Sequence, residues 1–499
     1  PKKHIFYPYA LHRALLPIAL LLLAHTLLAQ TYRNRLYNQG HDLLLFSGIT
    51  QHQNQYYVTG IAGFAAGQYG KVFCGRLDSS LQFTYHTVPT IGGAAYTFLN
   101  TLVKTGPDEW ALTGYNIAGG ERLLLVKLSN NLDSIKTISF LPPYSNFRGM
   151  KLLPGHNGTL YTTGLLKVDT NANVFINKID AAGNALWQTQ LGDDSYEFAK
   201  SIGRLPNNNL VLGAVKSRRD TLQNALDNTW LIEVDTLGHL VKEWADTSNL
   251  TGAAESIIIT SDKHLVYGVQ KTNVQTSMYR DYTAAIIKRD TAFNLLWEYT
   301  DPGSGDYNAI SDIEELPDGS LIACGQKLGY YTNGTILGGR VLKLSAGGQL
   351  LWSKVYSATT NNYTQNYLTD IDVLDDGSLV AVGDCVDHSN TPAQQGWILK
   401  LDSNGCENSS CTTGVTALTE TGYRLKITPN PAGSFIQVQY DGNNKGGKLT
   451  VINSTGYKVL ETALPTDGRV NVSHLLPGTY VAQLAGNNYQ AKSTFVINR

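Results

Sequence analysis

The sequence predicts an all-β protein that consists of a long repetitive region and a small C-terminal domain. Glycine and tyrosine are abundant, with 48 and 28 of the 499 residues, whereas methionine occurs twice. Glycine allows the positive φ angles of tight turns, and tyrosine suits the half-buried surface of a pleated sheet. Short hydrophobic segments alternate with polar turns along the chain, which is typical of many short strands. The hydrophobic content of 42% is sufficient for a large repetitive core.

The charge balance excludes one class of partner. Lysine and arginine total 39 and aspartate and glutamate total 40, which gives a net charge of -1. Nucleic acids and anionic membranes attract proteins with a strong positive field, and this chain has none overall. We therefore expect no nucleic-acid partner.

Residues 1–29 have the pattern of a secretory signal peptide. Basic residues precede the apolar segment 14–24, and the stretch ends in LLAQ, which places the predicted cleavage after Ala29. A membrane-spanning anchor needs about twenty apolar residues, and Pro17, His25 and Thr26 interrupt this segment. We expect the signal peptide to be the only part that meets a membrane, and the rest to be exported.

Residues 30–411 contain a repeated unit with four short strands. In each unit two hydrophobic strands meet at a polar turn, and a variable connection leads to a third strand, a second tight turn and a fourth strand. The second tight turns begin at Asp78, Ser129, Asp180, Asp235, Asp290, Ser345 and Asp402, at intervals of 51 to 57 residues. Seven such units predict a seven-bladed β-propeller. An open β-solenoid, which has shorter repeats, is the alternative.

The two ends of the repetitive region are predicted to meet. The seventh unit continues into CENSSC where the other units have a fourth strand. Residues 30–40 precede the first unit, and we expect them to supply the missing strand and so remove two exposed sheet edges. Cys406 and Cys411 lie in the same small loop, and the oxidising compartment would allow a disulfide between them.

The C-terminal residues form a separate predicted domain. Residues 412–422 read as a linker, and residues 423–499 contain seven short alternating segments, which predict a small Ig-like β-sandwich. Pro429 and Pro431 lack amide donors, so the first strand cannot extend backward by pairing with the propeller. An accessory sandwich without an export role is the alternative to the family resemblance described next.

Three motifs in this domain carry a family resemblance: TPNPA at Thr428–Ala432, NSTG at Asn453–Gly456 and LLPGTYV at Leu475–Val481. With these motifs the domain resembles the C-terminal sorting domain of the type IX (Por) secretion system, although Thr428 stands where that family usually has tyrosine. The resemblance implies a Gram-negative bacterium, the type IX machinery as partner, and passage through the periplasm to the outer-membrane exterior or the medium. The sorting-motif residues that it implies are Pro429, Asn430, Pro431, Gly456, Gly478 and Tyr480.

Connection lengths indicate which face of the propeller binds a ligand. The first and third turns of each unit are short and uniform, whereas the connections between the second and third strands vary. Recognition residues usually lie on loops of a rigid scaffold. We call the face with the variable connections the variable face, and we expect it to bind a surface glycan or protein. The candidate stacking residues are Tyr279, Tyr282, Tyr330 and Tyr331.

Alignment of the units places Glu255, Asp312 and Asp370 near the start of the innermost strands. One interpretation is an acidic channel mouth that holds a cation or sugar hydroxyls. The other is that the wet axial channel of a propeller requires polar residues in any case. The sequence lacks the G-x-S-x-G, HExxH and paired CxxC motifs.

We therefore assign no catalytic residue, metal site or cofactor, and we expect a monomeric binding or adhesion module. The alternative is a carbohydrate-active lyase or hydrolase that uses the acids at the channel mouth, since such acids need no local motif.

Overall fold

A computed structural model describes most of the chain as strands and turns. The described residues are 33–63, 70–87, 95–97, 102–116, 122–139, 147–168, 171–193, 196–219, 225–248, 252–275, 280–301, 308–331, 334–359, 364–388, 393–407, 425–440, 447–453, 458–475, 477–486 and 489–498. The predicted signal peptide and linker lie outside them. Among these residues no helix is long and apolar enough to cross a membrane. The chain divides into two compact units, Pro1–Cys411 and Thr412–Arg499.

The first unit begins with strand β1 (Arg33–Tyr37), and its first four blades follow. Blade 1 contains β2 (Leu43–His52), β3 (Gln55–Gly63), β4 (Lys71–Leu77) and β5 (Phe83–Thr87). Blade 2 contains β6 (Ala95–Thr97), β7 (Val103–Gly106), β8 (Glu109–Asn116), β9 (Arg122–Ser129) and β10 (Ser134–Ser139). Blade 3 contains β11 (Phe147–Pro154), β12 (Leu160–Val168), β13 (Asn171–Ile179) and β14 (Ala185–Leu191). Blade 4 contains β15 (Glu197–Arg204), β16 (Leu210–Arg219), β17 (Ala225–Val234) and β18 (Leu240–Ala245).

Three further blades complete the described part of this unit. Blade 5 contains β19 (Ile257–Ile259), β20 (Leu265–Gln275), β21 (Arg280–Arg289) and β22 (Leu295–Thr300). Blade 6 contains β23 (Ala309–Glu315), β24 (Leu321–Tyr331), β25 (Gly334–Leu344) and β26 (Leu350–Tyr356). Blade 7 contains β27 (Thr364–Val373), β28 (Leu379–Asp387) and β29 (Ala393–Leu401). Sequential strands pair antiparallel within each blade, and β6 and β7 both pair with β8.

The N-terminal strand supplies the fourth strand of blade 7, as the sequence predicts. Strand β1 pairs antiparallel with β29, from Arg33 opposite Lys400 to Tyr37 opposite Gly396. The Asn34 side chain reinforces this pairing, because its Oδ1 accepts a hydrogen bond from Trp397 Nε1 at 2.7 Å. The same side chain donates to the Ser357 carbonyl of blade 6 at 2.8 Å.

Buried apolar clusters join each blade to the next and close the ring. One cluster contains Phe46 and Val58 of blade 1 together with Val380 and Ile398 of blade 7. Comparable clusters join blades 1 and 2, 2 and 3, 3 and 4, 4 and 5, 5 and 6, and 6 and 7. A single blade could not bury these faces alone, so each blade depends on its neighbours for stability.

The residues that begin the second tight turns have a common role. In blade 4, Asp235 Oδ1 accepts hydrogen bonds from the backbone nitrogens of Leu237 and His239, at 2.8 and 2.9 Å. Side chains at the equivalent positions of the other blades accept bonds from their own turns in the same way. An Asp or Ser side chain that satisfies its own turn explains why this position repeats.

A contact between a tryptophan and a glycine joins blade 3 to blade 4, and blade 5 to blade 6, near their outer strands. Trp187 of blade 3 donates from Nε1 to the Thr236 carbonyl in the second tight turn of blade 4, at 3.2 Å. A Cβ at Gly238 of that turn would lie 2.8 Å from the Trp187 ring, and its φ is +91°. Trp297 of blade 5 and Gly348 of blade 6 repeat this contact. The turns therefore require glycine both for conformation and for space.

The second unit contains two β-sheets around one apolar core. The strands are β30 (Leu425–Thr428), β31 (Phe435–Tyr440), β32 (Lys448–Asn453), β33 (Lys458–Ala463), β34 (Arg469–Asn471), β35 (Gly478–Gly486) and β36 (Tyr489–Ile497). Their order is β30-β31-β34 in one sheet and β33-β32-β35-β36 in the other. Tyr480 is 6% exposed and lies in the core, with its ring 5.7 Å from that of Phe495.

The TPNPA segment ties the start of this unit to its last strand. Asn430 Oδ1 accepts a hydrogen bond from the Val496 nitrogen at 2.9 Å. Ala432 exchanges backbone hydrogen bonds with Val496 and Asn498, at 2.6 and 3.1 Å. Pro429 and Pro431 follow cis peptide bonds. Gly478 begins β35, and Gly456 lies outside the described residues.

Candidate functional site

The inner strands of the propeller carry a recurring β-bulge that alters the predicted alignment. In blades 6 and 7 the register shifts between Ile310 and Asp312, and between Leu368 and Asp370. Blades 1, 3 and 4 have the same irregularity. A bulge adds one residue and redirects the side chains that follow it. In an alignment that includes the bulges, Glu255 therefore matches the residue that each bulge adds, whereas Asp312 and Asp370 are the residues that follow a bulge.

Asp312 and Asp370 are buried instead of lining an open mouth, which differs from the predicted acidic opening. Their exposed fractions are 2% and 1%. Asp312 Oδ1 accepts a hydrogen bond from Ser256 Oγ of blade 5 at 2.8 Å. Asp370 Oδ2 accepts one from the Ile49 nitrogen of blade 1 at 2.6 Å. Each carboxyl group thus joins neighbouring blades at the inner edge of the ring.

Burial also changes the protonation of Asp370. Burial, and then the negative charge of Asp312, raise the pKa of Asp370 well above its usual range. Asp370 therefore keeps its proton to a higher pH than an ordinary aspartate does.

Two further acids and one lysine belong to this group, and none of them was among the site residues predicted from the sequence. Glu314 is partly exposed, and burial together with the charges of Asp312 and Asp372 raises its pKa to about 8. Asp372 accepts a hydrogen bond from the Gln51 nitrogen at 2.9 Å, and burial raises its pKa. Lys151 of blade 3 partly offsets the shift of Glu314. The signal was visible as a second acid two residues after the first, in DIEE and DIDV.

Glu255 has a different partner. Its two carboxylate oxygens accept hydrogen bonds from Lys200 Nζ of blade 4, at 2.6 and 2.8 Å. The side chains of Lys200 and Glu255 are 33% and 16% exposed. The structure therefore does not bring Glu255 together with Asp312 and Asp370 as one set of cation ligands. Among the described residues no group of His, Cys, Asp or Glu is arranged to hold a metal ion.

Three of the four candidate tyrosines lie in the hairpins β20–β21 and β24–β25. Tyr282 lies in β21, and its carbonyl accepts a hydrogen bond from Asn308 Nδ2 at 3.3 Å. Asn308 Oδ1 accepts one from the Leu328 nitrogen of β24 at 3.1 Å. Asn308 thus links the hairpins of blades 5 and 6. Tyr330 and Tyr331 end β24, with side chains outside the described part, and Tyr279 lies wholly outside it.

The cysteines divide into two groups. Cys74, Cys324 and Cys385 are buried free thiols, and burial raises the pKa of Cys74 and Cys385 to about 12. A high pKa makes these thiols poor nucleophiles. Cys406 is disulfide-bonded. Its predicted partner Cys411 lies outside the described residues, so the pairing stays a prediction.

Comparison with known proteins identifies the C-terminal unit. Residues 426–498 match the family described as the secretion system C-terminal sorting domain. No curated protein matches the chain.

Comparison of structures finds proteins that resemble the first unit in fold at low sequence identity. An ulvan lyase of a polysaccharide lyase family, bound to a glucuronic acid–sulfated rhamnose unit, aligns with a TM-score of 0.51 and 9% identity, over 74% of this chain and 96% of that one. The β-propeller domain of the trilobed protease from Pyrococcus furiosus aligns with a TM-score of 0.41 and 8% identity, over 71% and 93%. A protein of unknown function from Dyadobacter fermentans aligns with a TM-score of 0.44 and 9% identity, over 74% and 98%.

Identities this low show similarity of fold alone. The sorting-domain match carries more, because it indicates export and contact with the type IX machinery. The protein is a secreted or cell-surface β-propeller protein that carries the C-terminal sorting domain of the type IX (Por) secretion system.

Proposed function

We propose that the propeller is a binding or adhesion module which a Gram-negative bacterium exports through its periplasm and presents on its surface or releases. One observation carries this proposal: a ring closed by β1 supports long hairpins on one face. Strands β24 and β25 have 11 residues each, whereas β8 and β9 have 8 each. Hairpins that project from a rigid scaffold suit recognition, because they lose little conformational entropy when a ligand binds.

The ligand surface that we propose lies on the hairpins of blades 5 and 6. The bonds of Asn308 to Tyr282 and Leu328 hold the two hairpins together. Tyrosine rings stack on sugar rings and retain a hydroxyl for hydrogen bonding, so a surface glycan suits Tyr282, Tyr330 and Tyr331. A protein ligand is the second possibility for the same surface.

A carbohydrate-active enzyme is the alternative function, and Glu314 is the observation in its favour. A carboxyl group with a pKa of about 8 keeps its proton at neutral pH, as a general acid must. Asp312 and Asp370, in contrast, are too deeply buried to contact a substrate. The ulvan lyase similarity adds no residue to this argument, because it concerns the fold alone.

A glycan array and a reducing-end release assay on the full chain distinguish the two functions. We expect glycan binding without release of reducing ends, and we expect Tyr330→Ala and Tyr331→Ala to weaken binding. Tyr85→Ala is the matched control, because Tyr85 is an exposed tyrosine on the outer strand of blade 1. Release of reducing ends that Glu314→Gln abolishes would replace the binding function with the enzymatic one.

A further inference from the structure

The second tight turns of blades 3 to 6 lead into outer strands that expose apolar side chains. Four equivalent stretches follow the turn residues of these blades: 181–186, 236–241, 291–296 and 346–351. We call these stretches together the apolar arc. Leu237 at the tip of one turn is 65% exposed, and Leu240, Leu295 and Leu350 at the starts of the outer strands are 49%, 53% and 42% exposed. Single exposed leucines are common on protein surfaces, but a row of them over four blades indicates an interaction site.

A β-bulge at the start of each outer strand adds a further exposed residue. In blade 4, Glu233 pairs with Lys242 and Val234 pairs with Leu240, so Val241 has no residue opposite it. The same register shift leaves out the equivalent residues of blades 3, 5 and 6, which are Leu186, Leu296 and Leu351. The exposed fractions of these four residues lie between 46% and 54%. A bulge residue has no cross-strand neighbour, so the fold itself does not require an apolar side chain there.

The four stretches adjoin one another along the ring. Trp187 of blade 3 donates a hydrogen bond to the Thr236 carbonyl in the turn of blade 4, at 3.2 Å. Lys242 of blade 4 donates to the Thr291 carbonyl in the turn of blade 5. Trp297 of blade 5 donates to the Ala346 carbonyl in the turn of blade 6, at 3.2 Å. Each outer strand thus contacts the next turn, and the exposed apolar side chains belong to one surface.

The composition and size of the apolar arc are those of a protein–protein interface. His239 is its only titratable residue, whereas the equivalent stretches of blades 2 and 7 contain Asp133 and Glu407. In blade 1 the bulge residue is Thr84. The centre of an interface is depleted of charged residues. Of the 24 residues of the arc, 19 are exposed, and a stable interface uses about 20 to 30 residues from each partner.

We propose that the apolar arc is a self-association surface through which two copies of the chain form a symmetric dimer. A two-fold axis between blades 4 and 5 matches blade 4 of one copy with blade 5 of the other, and blade 3 with blade 6. Val241 then meets Leu296 of the second copy, and Leu186 meets Leu351 of the second copy. Apolar residues face apolar residues throughout, and such a self-complementary contact closes with two copies. This proposal differs from the monomer that the sequence predicts.

The dimer leaves the proposed ligand surface open. The third strands β21 and β25 run from the variable connections to the second tight turns, so the apolar arc lies at the opposite end of these strands from the variable face. The hairpins of blades 5 and 6 therefore remain accessible in the dimer. The proposal goes beyond the binding function and does not depend on it.

Sedimentation velocity of the full chain over a roughly hundredfold range of protein concentration tests this surface. We expect a reversible equilibrium between monomer and dimer. Val241→Lys and Leu296→Lys should each raise the dimer dissociation constant about tenfold or more, because the added charge would be buried against apolar side chains of the second copy. The melting temperature of the monomer should not change, since both side chains are about half exposed and lie at bulges.

Thr84→Lys is the matched control. Thr84 is exposed at the same bulge position of blade 1, outside the apolar arc. This variant should form the dimer as the unmodified chain does, because it adds the same charge to an equivalent strand that takes no part in the contact.

Cysteine cross-linking tests the two-fold arrangement and does not require a charged variant to fold. A chain with Val241→Cys is mixed with a chain with Leu296→Cys, and oxidised glutathione is added. We expect more disulfide-linked dimer in the mixture than in either variant alone, since residue 241 of one copy meets residue 296 of the other.

Three outcomes would overturn the proposal. A monomer at every concentration would exclude self-association, and an unchanged dissociation constant in Val241→Lys and Leu296→Lys would place the contact elsewhere. Binding of a monomeric chain to phosphatidylcholine vesicles that Leu296→Lys abolishes would assign the apolar arc to a lipid surface instead of a second copy.

Discussion

Asp370 accepts a hydrogen bond from the backbone nitrogen of Ile49 at 2.6 Å, across the seam where blade 7 meets blade 1. Thr369 and Asp372 bond to the same strand, through the Phe46 carbonyl and the Gln51 nitrogen, at 2.9 Å each. The inner edge of the seam is thus joined by side chains and the outer edge by β1. Polar residues that were candidates for ligand binding have a structural role here.

Two replacements of Asp370 should separate the contribution of its hydrogen bond to the unfolding free energy from the contribution of its ionisable group. Asp370→Asn keeps an acceptor for the Ile49 nitrogen and removes only the ionisable group, so we expect a change in unfolding free energy below about 1 kcal/mol. Asp370→Ala leaves the Ile49 nitrogen unpaired and should cost about 1 to 3 kcal/mol. Urea denaturation of the two variants measures the difference. Equal losses in both would show that an amide cannot replace the carboxyl group as the acceptor for Ile49.

Glu314 should make the stability of the propeller depend on pH. Its pKa is about 8 in the folded protein and 4.5 in its ordinary state, so the folded state binds the proton more tightly. Its contribution is complete below about pH 4.5 and is lost as the pH rises to about 8. Glu314→Gln should flatten this part of the unfolding free energy against pH.

Asp384→Asn provides the comparison for this measurement. Burial raises the pKa of Asp384 to about 6, so this variant should alter the slope only below about pH 6. An unchanged slope between about pH 6 and pH 8 in Glu314→Gln would refute the assigned pKa.

Two glycines with positive φ should respond differently to alanine. Gly348 has φ +80° and a Cβ would lie 2.6 Å from the Trp297 ring, whereas Gly377 has φ +76° and no atom within 4 Å. Gly377→Ala carries only the conformational cost of about 1 to 2 kcal/mol. Gly348→Ala must also displace the indole and its bond to Ala346, so we expect about 2 to 4 kcal/mol. Similar melting temperatures for the two variants would argue against the inter-blade contact.

Removal of the N-terminal strand should open the ring. A chain that starts at Asn38 lacks β1, leaves the edge of β29 unpaired and removes the acceptor of Trp397 Nε1. We expect lower stability and self-association through the open edge, measured by urea denaturation and light scattering. A chain that starts at residue 33 is the control, since it keeps the whole strand. Monomeric, equally stable behaviour of the shorter chain would mean that β1 is dispensable.

Loss of the sorting domain should stop export without unfolding the propeller. A chain that ends at Thr421 should remain inside the producing cell, because the match to the sorting domain covers residues 426–498. Cell fractionation with antibodies against the propeller measures this. Asn430→Ala provides a milder change, since it removes only the side-chain hydrogen bonds to Val496 and Thr494. Normal surface delivery of the truncated chain would assign the domain another role.

The repeat and its closure could be predicted from the sequence because local signals specify them. The side chains of Asp235 and of the equivalent residues hydrogen-bond to their own turns. These residues therefore identify each unit without any contact to distant parts of the chain. The missing fourth strand of the last unit, together with residues 30–40, predicted the pairing of β1 with β29. The sorting domain was found because its motifs are specific to a family.

The site was harder to predict, for physical reasons. The bulges shift alignment by one residue, and this separated Glu255 from Asp312 and placed Asp312 in a buried position. The contact between Trp187 and Gly238 joins different blades and has no local signal.

The pairing of β1 with β29 also sets an order of events during production of the protein. Strand β1 is synthesised long before its partner β29, so Arg33 can pair with Lys400 only after the last blade has been made. Until blade 7 emerges, every partial ring exposes an unpaired edge and two unfilled blade faces. A contact so distant in sequence also slows folding. The sorting domain follows blade 7 in the chain, so its residues are synthesised only after β29, the partner of β1, is complete.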